Sequence, residues 1–321
     1  MRSFIDVCFA VVCTGNARAS FDLMYVADAG TKAIHRVDPV NNVYLGRFGQ
    51  GFLNNPISVA LGSGSDVHVL DISSTGTANV KKFDGSTGEF LSVIELFFFP
   101  SANAKLRVSG NSLLATGGSA WGVSYLFSFD ILSGNANNGL GYLQGSVAGI
   151  ATGLAVSSTT TYWSGFRTAP NSHSLYQKAN SSAFNNNVFA ASATIANSFS
   201  NSYMAVSGSR VVHVNSGGNL NRYTSSLTLP LSTTLTGYST INGMAAGHDN
   251  LVHIAGMNAG GSFVLGKYFS NINEAIAPTA ISGTGITDPR DIAVFLAPEP
   301  GSMIAIGAGL IGLLSRKKRL S

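Results

Sequence analysis

Residues 25–61 read YVADAGTKAIHRVDPVNNVYLGRFGQGFLNNPISVAL, and the punctuation of this stretch decides the architecture. Short apolar runs alternate with turn residues: Asp28 and Gly30, Asp38-Pro39, Phe48-Gly49, then Pro56 before the next run. Gly supplies positive φ, Pro fixes φ, and an Asp side chain caps free backbone N–H groups, so each cluster reads as a turn between strands. Four strands in such a span are too short and too regularly punctuated for helices.

The same grammar recurs along the chain. Six apolar segments resemble one another: ISVALGSGSDVHVLD from Ile57, LRVSGNSLLATG from Leu106, LAVSSTTTYWSG from Leu154, MAVSGSRVVHVN from Met204, MAAGHDNLVHIAG from Met244 and IAVFLAP from Ile292. Anchored on Val59, Val108, Val156, Val206, Ala246 and Val294, they are spaced by 49, 48, 50, 40 and 48 residues. In each full unit a turn follows the apolar strand, then come a second strand of alternating character, a third such as VKKFD at Val80 or LFSFD at Leu126, and usually a weaker fourth such as FLSVI at Phe90. That period is the one expected of a propeller blade. A two-sheet sandwich is the rival, because period-two apolar patterning suits it equally.

The chain ends favour the ring. The last anchor, DIAVFLA from Asp291, has no later strands of its own, while the N-terminal region supplies three strands (LMYVAD, AIHRVD, VYLGRF) and lacks a first. Joined, they complete a sixth blade, and a closed ring leaves few exposed sheet edges. The expected fold is therefore all-β: a six-bladed β-propeller over residues 20–297, closed by N- and C-terminal strands. Residues 25–61 also resemble an NHL-type propeller repeat, on Asp28/Gly30, Asp38-Pro39, Phe48-Gly49 and Pro56; the other units have lost most of these markers.

Composition excludes some functions. The chain has 45% hydrophobic and only 11% charged residues, too apolar for disorder. The net charge of +4 is terminal in origin: between Ser20 and Ala297 there are 13 Lys+Arg and 13 Asp+Glu. A body with no net charge and no basic run has no electrostatic grip on phosphates, so nucleic acid is not an expected partner. The start, MRSFIDVCFAVVCTGNARA, has a basic residue, an apolar core and an Ala17-x-Ala19 cleavage pattern, which reads as a signal peptide over residues 1–19. Both cysteines, Cys8 and Cys13, fall inside it.

The end is equally distinct. Pro298-Glu299-Pro300 is followed by 14 uncharged residues, Ser302–Ser315, and then by Arg316, Lys317, Lys318 and Arg319. The apolar run is shorter than the roughly 20 residues of a comfortable transmembrane helix, and the bases behind it would hold that end on the cytoplasmic side. The segment 298–321 resembles the PEP-CTERM sorting signal of Gram-negative bacteria that make extracellular polysaccharide. The resemblance implies a hydrophobic sorting helix, transient membrane anchoring, processing near Pro298–Pro300 by an exosortase-type membrane enzyme, and a final place at the cell surface or in the exopolysaccharide matrix.

Candidate chemistry is sparse. His68, His213 and His253 fall in equivalent second strands, so they would be spread around the ring instead of converging on a metal; no metal or cofactor is expected. Asp28, Asp38, Asp84 and Asp130 read as turn caps. Asn55, Asn103, Thr152, Ser202, Asn242 and Asp288 precede the inner strands and would form a neutral rim around one mouth of the channel, suited to a polar ligand such as a sugar. The expected function is that of a secreted, non-enzymatic binding or structural propeller. The alternative is a lactonase- or lyase-like enzyme with a metal in the channel.

Overall fold

The computed structural model describes residues 22–296, except 97–101, 119–123, 136–140, 144–148, 168–171, 181–187, 190–192, 196–201, 216, 229–230 and 248–249. The expected signal peptide with Ala17 and Ala19, and the sorting segment from Pro298 through Arg319, lie outside the described residues. Asp22–Leu296 is one compact unit. No helix occurs among its described residues, and none long and apolar enough to cross a membrane.

Six antiparallel sheets follow one another along the chain. Blade 1 is Pro289–Leu296, Asp22–Asp28, Ala33–Asp38 and Val43–Phe48, from the inner strand outward. Blade 2 is Pro56–Leu61, Asp66–Ile72, Ala78–Asp84 and Phe90–Leu96. Blade 3 is Leu106–Ser109, Ser112–Gly118, Ser124–Asp130 and Gly141–Leu143. Blade 4 is Gly149–Val156, Thr160–Arg167, Ser172–Ala179 and Ala193–Ile195. Blade 5 is Ser202–Ser207, Arg210–Asn215, Asn219–Thr224 and Leu231–Thr234, and blade 6 is Thr240–Ala246, Leu251–Met257, Phe263–Phe269 and Glu274–Ala280. Each inner strand contacts the inner strands of its two neighbours, which closes a six-bladed ring.

Ring closure takes the form the chain ends imply. The C-terminal strand pairs with the N-terminal one, Asp22 opposite Leu296, Met24 opposite Val294 and Val26 opposite Ile292. The buried carboxylate of Asp28 latches the join from the far end of its strand. It accepts the N–H of Asp288 at 2.6 Å and the Thr31 hydroxyl at 2.6 Å, and it lies 3.4 Å from His35. Burial pushes its pKa up, but these hydrogen bonds outweigh burial and hold it at about 2. Asp71 does the same work in blade 2, accepting the N–H groups of Asn54 and Asn55 and pairing with Lys81.

Asp38, Asp84 and Asp130 end third strands and cap the turn that follows, each accepting the N–H groups two and three residues on. The second strands differ from expectation. DVHVLDI, RVVHVN and LVHIAGM are buried at nearly every position and do not alternate. Blades stack face to face, so a middle strand has apolar neighbours on both faces, and alternating exposure returns on outer strands such as Val43–Phe48. One further strand was not anticipated: Val188–Phe189, from the blade 4 connection, pairs in parallel with Gly141–Leu143 and makes blade 3 five-stranded.

Candidate functional site in the central channel

The inner strands bring one short segment from each blade to the axis. At one mouth lie Leu61, Val108, Val156, Val206, Ala246 and Val294, all half-buried, around a depression of about 190 Å³. Leu61, and not Val59, is the mouth residue of blade 2; Val59 lies two residues deeper in the same strand and is fully buried. One residue deeper come Ala60, Arg107, Ala155, Ala205, Ala245 and Ala293. Five alanines leave open the space that a single arginine crosses.

Arg107 ties three blades together. Its guanidinium donates to the carboxylate of Asp291 in blade 1 at 2.8 and 3.3 Å, to the carbonyl of Val59 in blade 2 at 3.4 Å, and to that of Leu106 at 2.7 Å. Asp291 is fully buried and also accepts the Ser58 hydroxyl, whose oxygen in turn accepts the N–H of Leu106 at 2.9 Å. Burial pushes the Asp291 carboxyl up, while Arg107 and Lys105 pull it down further, so it stays ionised.

Lys105 completes the cluster. Its ammonium donates to the carbonyl of Arg290 at 2.9 Å and sits 4.6 Å from the ring centre of Tyr203 in blade 5, a cation–π contact across the channel. Burial lowers its pKa to about 8, against the raising effect of Asp291. Burial drives the Tyr203 phenol the other way, upward. The channel therefore carries a polar plug beneath an apolar mouth, and its hydrogen bonds join blade 3 to blades 1 and 2.

The expected rim residues are not brought together as one set. Thr152 and Ser202 are buried between blades 4 and 5, 2.9 Å apart, and Ser202 is 2.6 Å from Ser164. Asn55, Asn103, Asn242 and Asp288 are half-buried at the starts of their own inner strands. Asp288 pairs with Arg290 at 2.5 Å, and the Asn242 side chain accepts from Thr240. The three second-strand histidines sit in separate sheets. Burial lowers the pKa of His68 and of His253 to about 4, so both rings are neutral. Gly62 and Gly247 pack directly against those rings, leaving no room there for a Cβ.

Lys105 and Arg107 escape sequence reading because a single LRV among LAV and MAV segments looks like drift. The available signal is the charge itself: Arg107 is a cation at a level otherwise made of alanine, and a buried cation requires a partner.

The inner strand that carries Asp291 ends at Leu296, and the chain continues directly into Pro298-Glu299-Pro300. Residues 296–319 match the PEP-CTERM protein-sorting motif. The motif implies export and membrane-associated sorting, with processing by an exosortase-type enzyme. None of the curated proteins matches this chain. Solved structures resemble its body. One is a protein of unknown function from Bacteroides caccae, with 9% identity over 87% of this chain and 100% of that one, and a TM-score of 0.59. Two others are provisionally called 6-phosphogluconolactonases. The one from Bacteroides fragilis has 11% identity, coverage of 88% and 99%, and a TM-score of 0.57. The one from Bacteroides uniformis has 14% identity, coverage of 80% and 82%, and a TM-score of 0.51. At such identities the likeness is one of fold alone.

Proposed function

We propose that the protein is exported, processed at its PEP-CTERM motif and left at the cell surface or in the exopolysaccharide matrix as a non-enzymatic binding or structural propeller. The observation that carries this reading is the sorting motif beginning at residue 296, the last residue of the ring-closing strand. The last strand of the ring ends at Leu296, so a cut near Pro298–Pro300 leaves all six blades whole.

The channel supports a non-catalytic role. Asp291 is its fully buried acid, and Arg107, Ser58 and Lys105 already surround it. Two cations beside that carboxylate oppose the approach of a divalent metal, which disfavours the lactonase- or lyase-like alternative. The lysine amine is likewise consumed by a carbonyl and an aromatic face.

Intact-mass measurement on protein recovered outside the producing cell tests the reading. The expected form lacks residues 1–19 and everything beyond Pro298–Pro300. An extracellular form that keeps Arg316–Arg319 overturns the sorting reading.

A further inference from the structure

Charge is unevenly shared around the ring. No Asp or Glu occurs between Asp130 and Asp249, a span that includes all of blades 4 and 5, yet those blades carry Arg167, Lys178, Arg210 and Arg222. In blades 2 and 3, by contrast, Lys81, Lys82 and Arg107 each meet an acid.

Two of these cations share one face. Arg210 opens the second strand of blade 5 opposite Thr224, and Arg222 lies opposite Val212 on the third strand. They are therefore diagonal neighbours, roughly 7–8 Å apart at the backbone, a spacing that long side chains easily close. Both are half-buried, and neither side chain has a hydrogen-bond or carboxylate partner among the described residues. They border a concavity of about 330 Å³ completed by Ser209, Tyr223, Thr224 and Ser225.

We propose that this concavity on blade 5 binds a carboxylate-bearing sugar residue of an acidic polysaccharide. The inference rests on the reading of the body as an extracellular binding propeller. Guanidinium groups pair with carboxylates through two parallel hydrogen bonds, and burying them beside a neutral sugar leaves their charge unanswered. The hydroxyl-bearing side chains around them match the hydroxyls of a sugar ring, and the volume is that of a small-ligand site. A single-stranded nucleic acid would need an open aromatic platform for base stacking, and Tyr223 is only 4% exposed.

The test is calorimetric titration of the exported protein with oligogalacturonate. Dextran serves as the neutral glycan, and polyphosphate and a DNA oligonucleotide as polyanions without carboxylates. Saturable binding of the uronate is expected, weakening as salt rises, with no heat from dextran. The Arg210→Gln/Arg222→Gln pair is expected to bind at least about tenfold more weakly. Arg210→Lys/Arg222→Lys keeps the charge and recovers part of that loss. Arg47→Gln, on the exposed outer strand of blade 1, binds like the parent, and all variants share its thermal midpoint. Undiminished uronate binding by the Gln pair overturns the site but leaves a binding role intact. Equal binding of dextran, polyphosphate or DNA overturns the ligand class. Binding of neither glycan overturns both this site and the polysaccharide reading of the body.

Discussion

Replacing Arg107 by alanine gives blade 3 the residue that the other five blades already carry at that level, so by local pattern the change is innocuous. By electrostatics it is severe. Asp291 has no exposed side-chain surface and would keep only the Ser58 hydroxyl and the more distant Lys105. Breaking a buried ion pair from one side typically costs about 3–5 kcal/mol, because the abandoned charge remains desolvated. For a domain of this size that lowers the thermal midpoint by on the order of 10 °C. The pH dependence separates this cause from lost packing. In the parent, Asp291 is depressed below its ordinary range, so its contribution is in place throughout pH 4.5–7.5 and is lost only as pH falls through the depressed value. In the variant, burial dominates and the carboxyl rises; protonation then relieves the cost, and the gap from the parent narrows as pH drops from 7.5 to 4.5. Urea unfolding at both values measures it. The Arg107→Ala/Asp291→Ala double variant should lose less than the sum of the single changes by at least about 1 kcal/mol. A loss under about 1 kcal/mol for Arg107→Ala, or one that does not change with pH, would refute the plug as an electrostatic device.

Two other substitutions probe the frame around that plug. Asp28 is held at about 2, below its ordinary 3.8, so it stabilises the closed ring at neutral pH by roughly 2 kcal/mol and loses that contribution as pH falls between about 4 and 2; Asp28→Asn should flatten this acid limb in pH-dependent unfolding, and an unchanged limb would show the latch to be inert. Gly256→Ala places its new carbon against the backbone carbonyl of Thr240 and the ring of Tyr238, so blade 6 must shift at a cost of about 1–3 kcal/mol in denaturant unfolding; a neutral result would mean that the inner strand there yields freely.

Much of this architecture is legible from residues 25–61 and from the complementary deficits at the two chain ends. Turn chemistry is local, and Asp38 behaves as its sequence neighbours dictate. What stays hidden depends on which strands stack. Nothing near Arg107 in the sequence points to Asp291, 184 residues away, and only the closed ring makes them neighbours. Likewise, Thr152 and Ser202 look like turn residues for a rim, yet the approach of blades 4 and 5 at Gly153 buries them as a hydroxyl pair. The alternation expected of the second strands fails for the same reason: local patterning assumes one wet face, and blade stacking removes it.

Pairing residue 22 with residue 296 has a consequence for how the molecule is made. The strand built first waits for the strand built last. Until then, Asp22–Asp28 presents a bare edge, the kind of surface that recruits neighbouring chains. Contacts so distant in sequence form slowly, since the whole intervening chain must be looped before they give anything back. Closure thus acts as a test of completeness: a chain cut short before Pro289 holds five blades and an open sixth, while a full-length chain shuts the ring just ahead of the residues read for sorting.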